Sequence, residues 1–424
     1  MVARVVRLLA LSAAAGLIVT GCADPGPGEP TGPVTPAGQA ASASSSAAAH
    51  RDGMAGMAGM AGMSGSTDPA SIAPITPLRG GERFQTLMMP RPYTPDPPVH
   101  DGTDDYRCFL VDPHLTRTTF LTGSQFLPNN ADIVHHAIFF KVDAGDVAEA
   151  KALDAASPGD GYTCFSGTGI GGLVAQANGA PWLAAWAPGG TETLAPKGTG
   201  NLMEPGSQII MQVHYNLLAT NGKATGTDRS GIRLRLAAAG TKLEPLHTTL
   251  LTAPIELPCP AGETGRLCDR DLAVFDTIRR FGDEAGYTVA GLNLLCNQGK
   301  TPKPGNTQHC DRKARQKMVV QAVAGHMHLL GRSISVQLNP GHPGAKTLLN
   351  VPVYNFDDQG AHRLATPVTV KPGDNLRVTC THDATLRART PALKTLPPRY
   401  VVWGEGTSDE MCLGVVIWTA RPAV

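Results

Sequence analysis

Five histidines and one methionine in this chain have the types and spacing to hold redox-active metal ions. The first group is Val134-His135-His136-Ala137, joined downstream by Gln212-Val213-His214-Tyr215. Three imidazoles can hold a copper ion. Adjacent residues on a strand point to opposite faces. His135 and His136 therefore share a metal only where the strand is distorted or where the two rings use different nitrogens. Taken alone, the His-His pair also reads as two strand histidines, one buried and one exposed. Along the second segment, alternation puts Ile210, Gln212 and His214 on one face, and Ile209, Met211, Val213 and Tyr215 on the other. A glutamine on the face of His214 suits a solvent-lined cleft better than a core. The second group is Gly325-His326-Met327-His328. Histidines at i and i+2 of a strand share a face and can chelate one ion. The competing reading is a neutral pair on an exposed strand. The third ligand chosen is Met411, in Thr407-Ser408-Asp409-Glu410-Met411-Cys412. If Met411 faces a metal, Cys412 faces away and is free for a disulfide. Two histidines and a thioether with one open position would hold Cu(I) and accept O2.

These residues need strands to position them, and the composition agrees. Glycine (48) and proline (35) are abundant and aromatics are 5%, which disfavours long helices and favours many turns. Strand character recurs at Ile133 to Lys141, Gln208 to Asn216, Met318 to Ala324, Ser333 to Leu338, Asn375 to Cys380 and Met411 to Trp418. Short runs between turn signals predict an all-β chain of β-sandwich or jelly-roll architecture. Only Val147 to Ala156 and Arg270 to Phe281 read as helical, both packed on the outside. The junction between two β domains falls near Ser230 to Lys242. The expected division is residues 84–238 with the three-histidine group and 239–424 with His326, His328 and Met411. A formal net charge of +1 offers no argument for a nucleic-acid partner.

The N-terminal residues speak to export. Arg4 and Arg7 precede an apolar run from Leu8 to Val19, too short to span a bilayer and fitting a signal peptide over 1–21. Val19-Thr20-Gly21-Cys22 resembles a bacterial lipobox. It predicts acylation of Cys22 and a membrane partner reached through that lipid anchor, in the periplasm or on the outer surface of a bacterial envelope. Residues 22–83 read as a disordered tether, rich in Ala, Gly, Ser and Pro. Within it lie His50 and the repeated Met54, Met57, Met60 and Met63. They read either as a copper-collecting tail or as a low-complexity linker. Setting Cys22 aside, eight of the nine cysteines remain, which reads as four disulfides in an exported protein. Spacing suggests the local pairs Cys259–Cys268 and Cys296–Cys310.

The stretches around these residues resemble a known family. Asp105-Tyr106-Arg107-Cys108, His135-His136, Gln212-Val213-His214-Tyr215, Thr227-Asp228-Arg229-Ser230-Gly231-Ile232-Arg233, Gly325-His326-Met327-His328-Leu329-Leu330-Gly331-Arg332, Thr379-Cys380-Thr381-His382 and Asp409-Glu410-Met411-Cys412 together resemble the copper type II, ascorbate-dependent monooxygenases. The resemblance runs from about residue 85 to 420, in family order. It implies two tandem jelly-roll-like domains and two copper ions. His135, His136 and His214 would bind an electron-storing copper. His326, His328 and Met411 would bind the copper that meets O2 and a small organic substrate, across a water-filled cleft. It also implies ascorbate or another one-electron reductant as donor, and the disulfides Cys380–Cys412 and Cys108–Cys164. Tyr106 and Gln212 become candidates for the cleft lining. In the peptide-hydroxylating relatives a tyrosine four residues after the copper methionine grips the substrate carboxylate; here that position is Val415, which leaves the substrate open. The other functional class is a copper-binding or copper-delivery lipoprotein without turnover. If Cys380–Cys412 ties Met411 in place, Cys380→Ser should lower copper content at that site; unchanged copper by elemental analysis would contradict the assignment.

Overall fold

The computed structural model describes residues 66–99, 102–157, 160–165, 167–171, 182–356 and 358–422. The signal segment, Cys22, His50 and Met54, Met57, Met60 and Met63 lie outside the described residues. In the first half the strands are β1 (Arg83–Met88), β2 (Asp104–Val111), β3 (Thr119–Leu127), β4 (Val134–Val142), β5 (Tyr162–Thr163), β6 (Trp182–Trp186), β7 (Thr193–Leu194), β8 (Thr199–Met203), β9 (Gln208–Asn216) and β10 (Gly231–Leu236). Helix α1 (Val147–Ala156) follows β4. In the second half β11 (Glu244–Thr252) and β12 (Glu256–Leu257) precede helices α2 (Arg270–Phe281) and α3 (Asp283–Cys296). Then come β13 (Thr307–Lys313), β14 (Met318–His326), β15 (Gly331–Leu338), β16 (Lys346–Val351), β17 (His362–Val370), β18 (Asn375–His382), β19 (Val401–Val402) and β20 (Leu413–Thr419).

The all-β reading holds, as two sandwiches. In the first, the sheet β5-β2-β9-β4-β6 faces β1-β10-β3-β8. Phe109, Phe139, Met211 and Val213 from one sheet meet Leu121, Phe126, Ile232 and Leu234 from the other. The outer face of the five-stranded sheet is covered as well: Cys108, Phe140 and Ile210 pack with Ala150 of α1. With both faces covered, β9 is buried from Gln208 to Tyr215 although its sequence alternates, Gln212 and His214 lying on the face opposite Met211 and Val213. In the second sandwich β11-β20-β14-β17 faces β13-β18-β15-β16, around Val320, Val336, Val378 and Val416. The two sandwiches share backbone. β8 pairs in parallel with β11, Thr199 opposite Glu244 and Gly200 opposite Pro245. One sheet thus runs unbroken from β1 to β17 through the segment expected to be a junction.

Two expectations need correction. The first concerns helices, because α3 was not foreseen. It contains Gly286 and Gly291 and is apolar on every side, so its sequence lacks the amphipathic stripe that marks a helix. Its reason is tertiary: a side chain at Gly286 would meet Ile278 of α2 at 2.7 Å, so glycine permits the close helix pair. The second concerns the tether, expected to run to residue 83. From Ser66 onward the chain is held on the first sandwich. Ser66 bridges Asn130, Arg233 donates to the Ile72 carbonyl at 2.6 Å, and Arg235 donates to those of Thr76 (2.6 Å) and Pro77 (2.8 Å). These guanidiniums satisfy the backbone of a segment with too few apolar groups to order itself. All four disulfides form: Cys108–Cys164, Cys259–Cys268, Cys296–Cys310 and Cys380–Cys412.

Arg235 itself is buried and ion-paired with Glu82 and Glu192. Removing one member of a buried ion network leaves uncompensated charge, at a cost of about 3–5 kcal/mol. Arg235→Ala should lose that much stability in urea titration and open residues 72–83 to proteolysis. A variant of unchanged stability and cleavage pattern would refute this account of the segment.

Candidate metal centres

The first site rests on a bulge. β4 and β9 run antiparallel, and their register shifts between Val134 opposite Tyr215 and His136 opposite His214. One extra residue, His135, is left on β4. A bulge re-aims the side chain it carries, and this is the strand distortion that adjacent histidines needed. The three rings converge through Nδ1. The His135–His136 and His135–His214 nitrogens lie 3.3 Å apart, and the His136–His214 pair 3.2 Å. The centre of such a triangle, edge divided by √3, is about 1.9 Å from each nitrogen, close to an imidazole–metal bond of roughly 2.0 Å. Among the described residues these three form a group able to hold a metal ion, and the donor set suits copper.

His214 is oriented by a carboxylate. Its Nε2–H donates to Asp104 Oδ1 at 2.9 Å, which leaves Nδ1 with its lone pair toward the other rings. Burial would raise the Asp104 carboxyl. The hydrogen bonds from His214 and Thr407 outweigh it and hold the group well below the usual carboxylate range. Burial and the neighbouring imidazoles push His135 and His136 well below the ordinary histidine value. Both imidazoles are therefore neutral at neutral pH.

The second group uses the opposite ring nitrogens. His326 Nδ1–H donates to Gln359 Oε1 at 2.5 Å, and His328 Nδ1–H donates to the Asp409 carbonyl at 3.1 Å. Nε2 of each ring is left to accept a metal. Burial, then the neighbouring His328, lowers His326 to about 4. The two ring centroids are 5.1 Å apart. β14 ends at His326, so His328 lies just beyond the strand on which it was expected. Glu410 organises that turn by accepting from the backbone N–H of His328 (2.9 Å) and of Leu330 (2.6 Å). His326 is registered with Leu413 of β20, two residues after Met411. Met411 is mostly buried and precedes Cys412, which is tied to β18 through Cys380.

The two groups do not face each other across open water, which corrects the expected cleft. The ring centroids of His136 and His326 are 6.2 Å apart. Phe356 stacks on His135 at 4.9 Å and presents its edge to His328 at 6.4 Å. Tyr106 and Gln212 are not cleft-lining residues either, being 1% and 3% exposed. Tyr106 stacks on His214 at 4.0 Å and donates its hydroxyl to the Glu405 carbonyl of the second sandwich at 2.6 Å. Gln212 donates to the Cys164 carbonyl at 2.8 Å. Polar side chains on the His214 face are thus spent inside the protein, not on solvent. Asp104, Phe356, Gln359 and the bonding of Glu410 were missed in the sequence. Strand alternation, which sets Asp104 with Tyr106 and Cys108 on one face of β2, is the signal that could have found Asp104; its pairing with β9 was not visible.

Residues 298–422 match the family model described as copper type II ascorbate-dependent monooxygenase, C-terminal domain. Its C-terminal part is thus similar to the copper type II ascorbate-dependent monooxygenases. The matched segment contains His326, His328 and Met411. The chain is also 28% identical over 199 residues to "DBH-like monooxygenase protein 1" of Mus musculus, covering 43% of this chain. It spans 30% of the length of that curated relative. Solved structures give weaker likenesses. The infectious bursal disease virus VP2 subviral particle covers 86% of this chain and 77% of its own, at 8% identity and TM-score 0.18. A fucolectin from the serum of Morone saxatilis covers 80% and 97%, at 5% identity and TM-score 0.17. At those scores neither carries an argument.

Partners that orient a ligating histidine typically matter 10- to 100-fold in metal affinity. Asp104→Asn should weaken copper binding at the three-histidine group by roughly that factor, read by competition with a chromophoric chelator. Unchanged affinity would show that Asp104 does not orient the ligand.

Proposed function

We propose that this chain is a copper-dependent monooxygenase that hydroxylates a C–H bond of a small organic substrate, with O2 and an external reductant. The observation that carries the reading is the juxtaposition of two differently built ligand groups: three Nδ1 atoms in a triangle, beside two histidines that keep Nε2 free. The overall reaction joins one oxygen atom of O2 to the substrate carbon and releases the other as water. It consumes two electrons and two protons, with ascorbate or another one-electron reductant as donor. Copper, when bound, supplies the one-electron redox chemistry and the activation of O2.

The chain's own residues do the rest. Neutral imidazoles present lone pairs without a proton to displace. The Met411 thioether, a soft donor, favours the reduced ion in the His326–His328 group. Phe356 reaches both groups, its ring against His135 and near His328. Val415, four residues beyond Met411, lies in β20 opposite Ala324 and Leu250 and is mostly buried. It offers no hydroxyl for a substrate carboxylate, so the reading favours a substrate recognised by other means than a peptide terminus. Export and acylation at Cys22 belong to the same proposal, supported by the four disulfides, which persist in oxidising compartments.

The test is O2 uptake by the copper-loaded chain with ascorbate and a panel of benzylic and amine compounds. Substrate-dependent uptake with a hydroxylated product is expected. Met411→Ile should abolish it while leaving copper on His135, His136 and His214. Two ions bound with no substrate-dependent uptake across the panel would instead favour a copper-binding or copper-delivery protein.

A further inference from the structure

Thr407 belongs to the second sandwich but bonds to the support of a ligand in the first. It lies in the buried segment between β19 and β20 and is 3% exposed. Its hydroxyl donates to Asp104 Oδ1 at 2.8 Å and its backbone N–H donates to the same oxygen at 3.2 Å. That oxygen also accepts the Nε2–H of His214 at 2.9 Å. Three donors from two sandwiches therefore share one carboxylate oxygen. The segment around Thr407 is itself fixed. Arg280 holds Asp409 through two bonds of 2.7 and 2.6 Å, and the Asp409 carbonyl takes the Nδ1–H of His328. A short buried stretch thus touches the supports of both histidine groups.

We propose that Thr407 is a positioning residue for the three-histidine site, whose bonds to Asp104 set the reduction potential of the ion held there. The inference rests on the reading that His135, His136 and His214 hold copper. Donors to a carboxylate draw charge away from it. With fewer of them, Asp104 accepts more strongly from His214, the imidazole becomes more electron-rich, and Cu(II) gains over Cu(I). Hydrogen bonding outside the ligand shell is an established lever on redox potential.

Thr407→Val keeps the shape and removes the hydroxyl; Thr407→Ser keeps the hydroxyl. In the full chain loaded with copper, Thr407→Val should shift the Cu(II)/Cu(I) equilibrium of the three-histidine ion toward Cu(II) by roughly three- to tenfold. Its Cu(II) EPR hyperfine splitting should change with it. Thr407→Ser should return both to the values of the unsubstituted chain. A folded Thr407→Val with unchanged potential and EPR would overturn the proposal, as would a shift that Thr407→Ser shares. A second measurement leaves Thr407 intact. In His326→Ala, adding Cu(I) should slow hydrogen exchange at the Thr407 amide, since linkage between the sites is reciprocal; unchanged exchange would also overturn it. If the unsubstituted chain binds no copper that His214→Ala removes, the underlying reading fails instead, and the two failures are distinguished.

Discussion

Asp104 Oδ1 receives a hydrogen bond from His214 of the first sandwich and two from Thr407 of the second. Burying a carboxylate is costly unless donors surround it, and here the compensating donors come from both halves of the molecule. The arrangement makes the orientation of His214 conditional on the second sandwich being in place. Tyr106 repeats the logic, since its ring stacks on His214 while its hydroxyl reaches the Glu405 carbonyl. Together with the parallel β8–β11 pairing, these contacts bring the two histidine groups to within a side chain of each other.

The two groups solve the tautomer problem in opposite ways. In the first, a carboxylate takes Nε2–H and Nδ1 faces inward. In the second, Gln359 and the Asp409 carbonyl take the Nδ1–H groups and Nε2 is left free. An ionised acceptor makes its imidazole more electron-rich than a neutral amide or carbonyl does. Of the histidines in the two groups, His214 is the one held by an ionised acceptor. In the second, both rings keep Nε2 free of a hydrogen-bond partner inside the group. The division between electron storage and oxygen chemistry that we propose is compatible with those acceptors.

Much of this was legible in the sequence, for identifiable reasons. β9 was readable from Gln208 to Asn216 because Pro205-Gly206 and Asn221-Gly222 bound a stretch whose apolar residues alternate with polar ones. The four disulfides followed from cysteine spacing and resemblance. The need for a distortion between His135 and His136 was readable from strand alternation, though its form as a bulge opposite β9 was not. What stayed hidden depends on pairings far apart in the chain: Asp104 with Thr407, Phe356 with His135, Gln359 with His326. Helix α3 was hidden because its glycines serve packing against Ile278 and its apolar residues cover every side. The order of residues 66–83 was hidden because it comes from Arg233 and Arg235, not from the segment's own composition.

The central claim is that the chain holds two chemically different copper ions. X-ray absorption on the Cu(I) form, with the metal counted per chain, tests it most directly. The account predicts two ions per chain, one bound by imidazole nitrogen alone and one with an added sulfur scatterer. A single ion per chain, or two ions with no sulfur contribution, would contradict it.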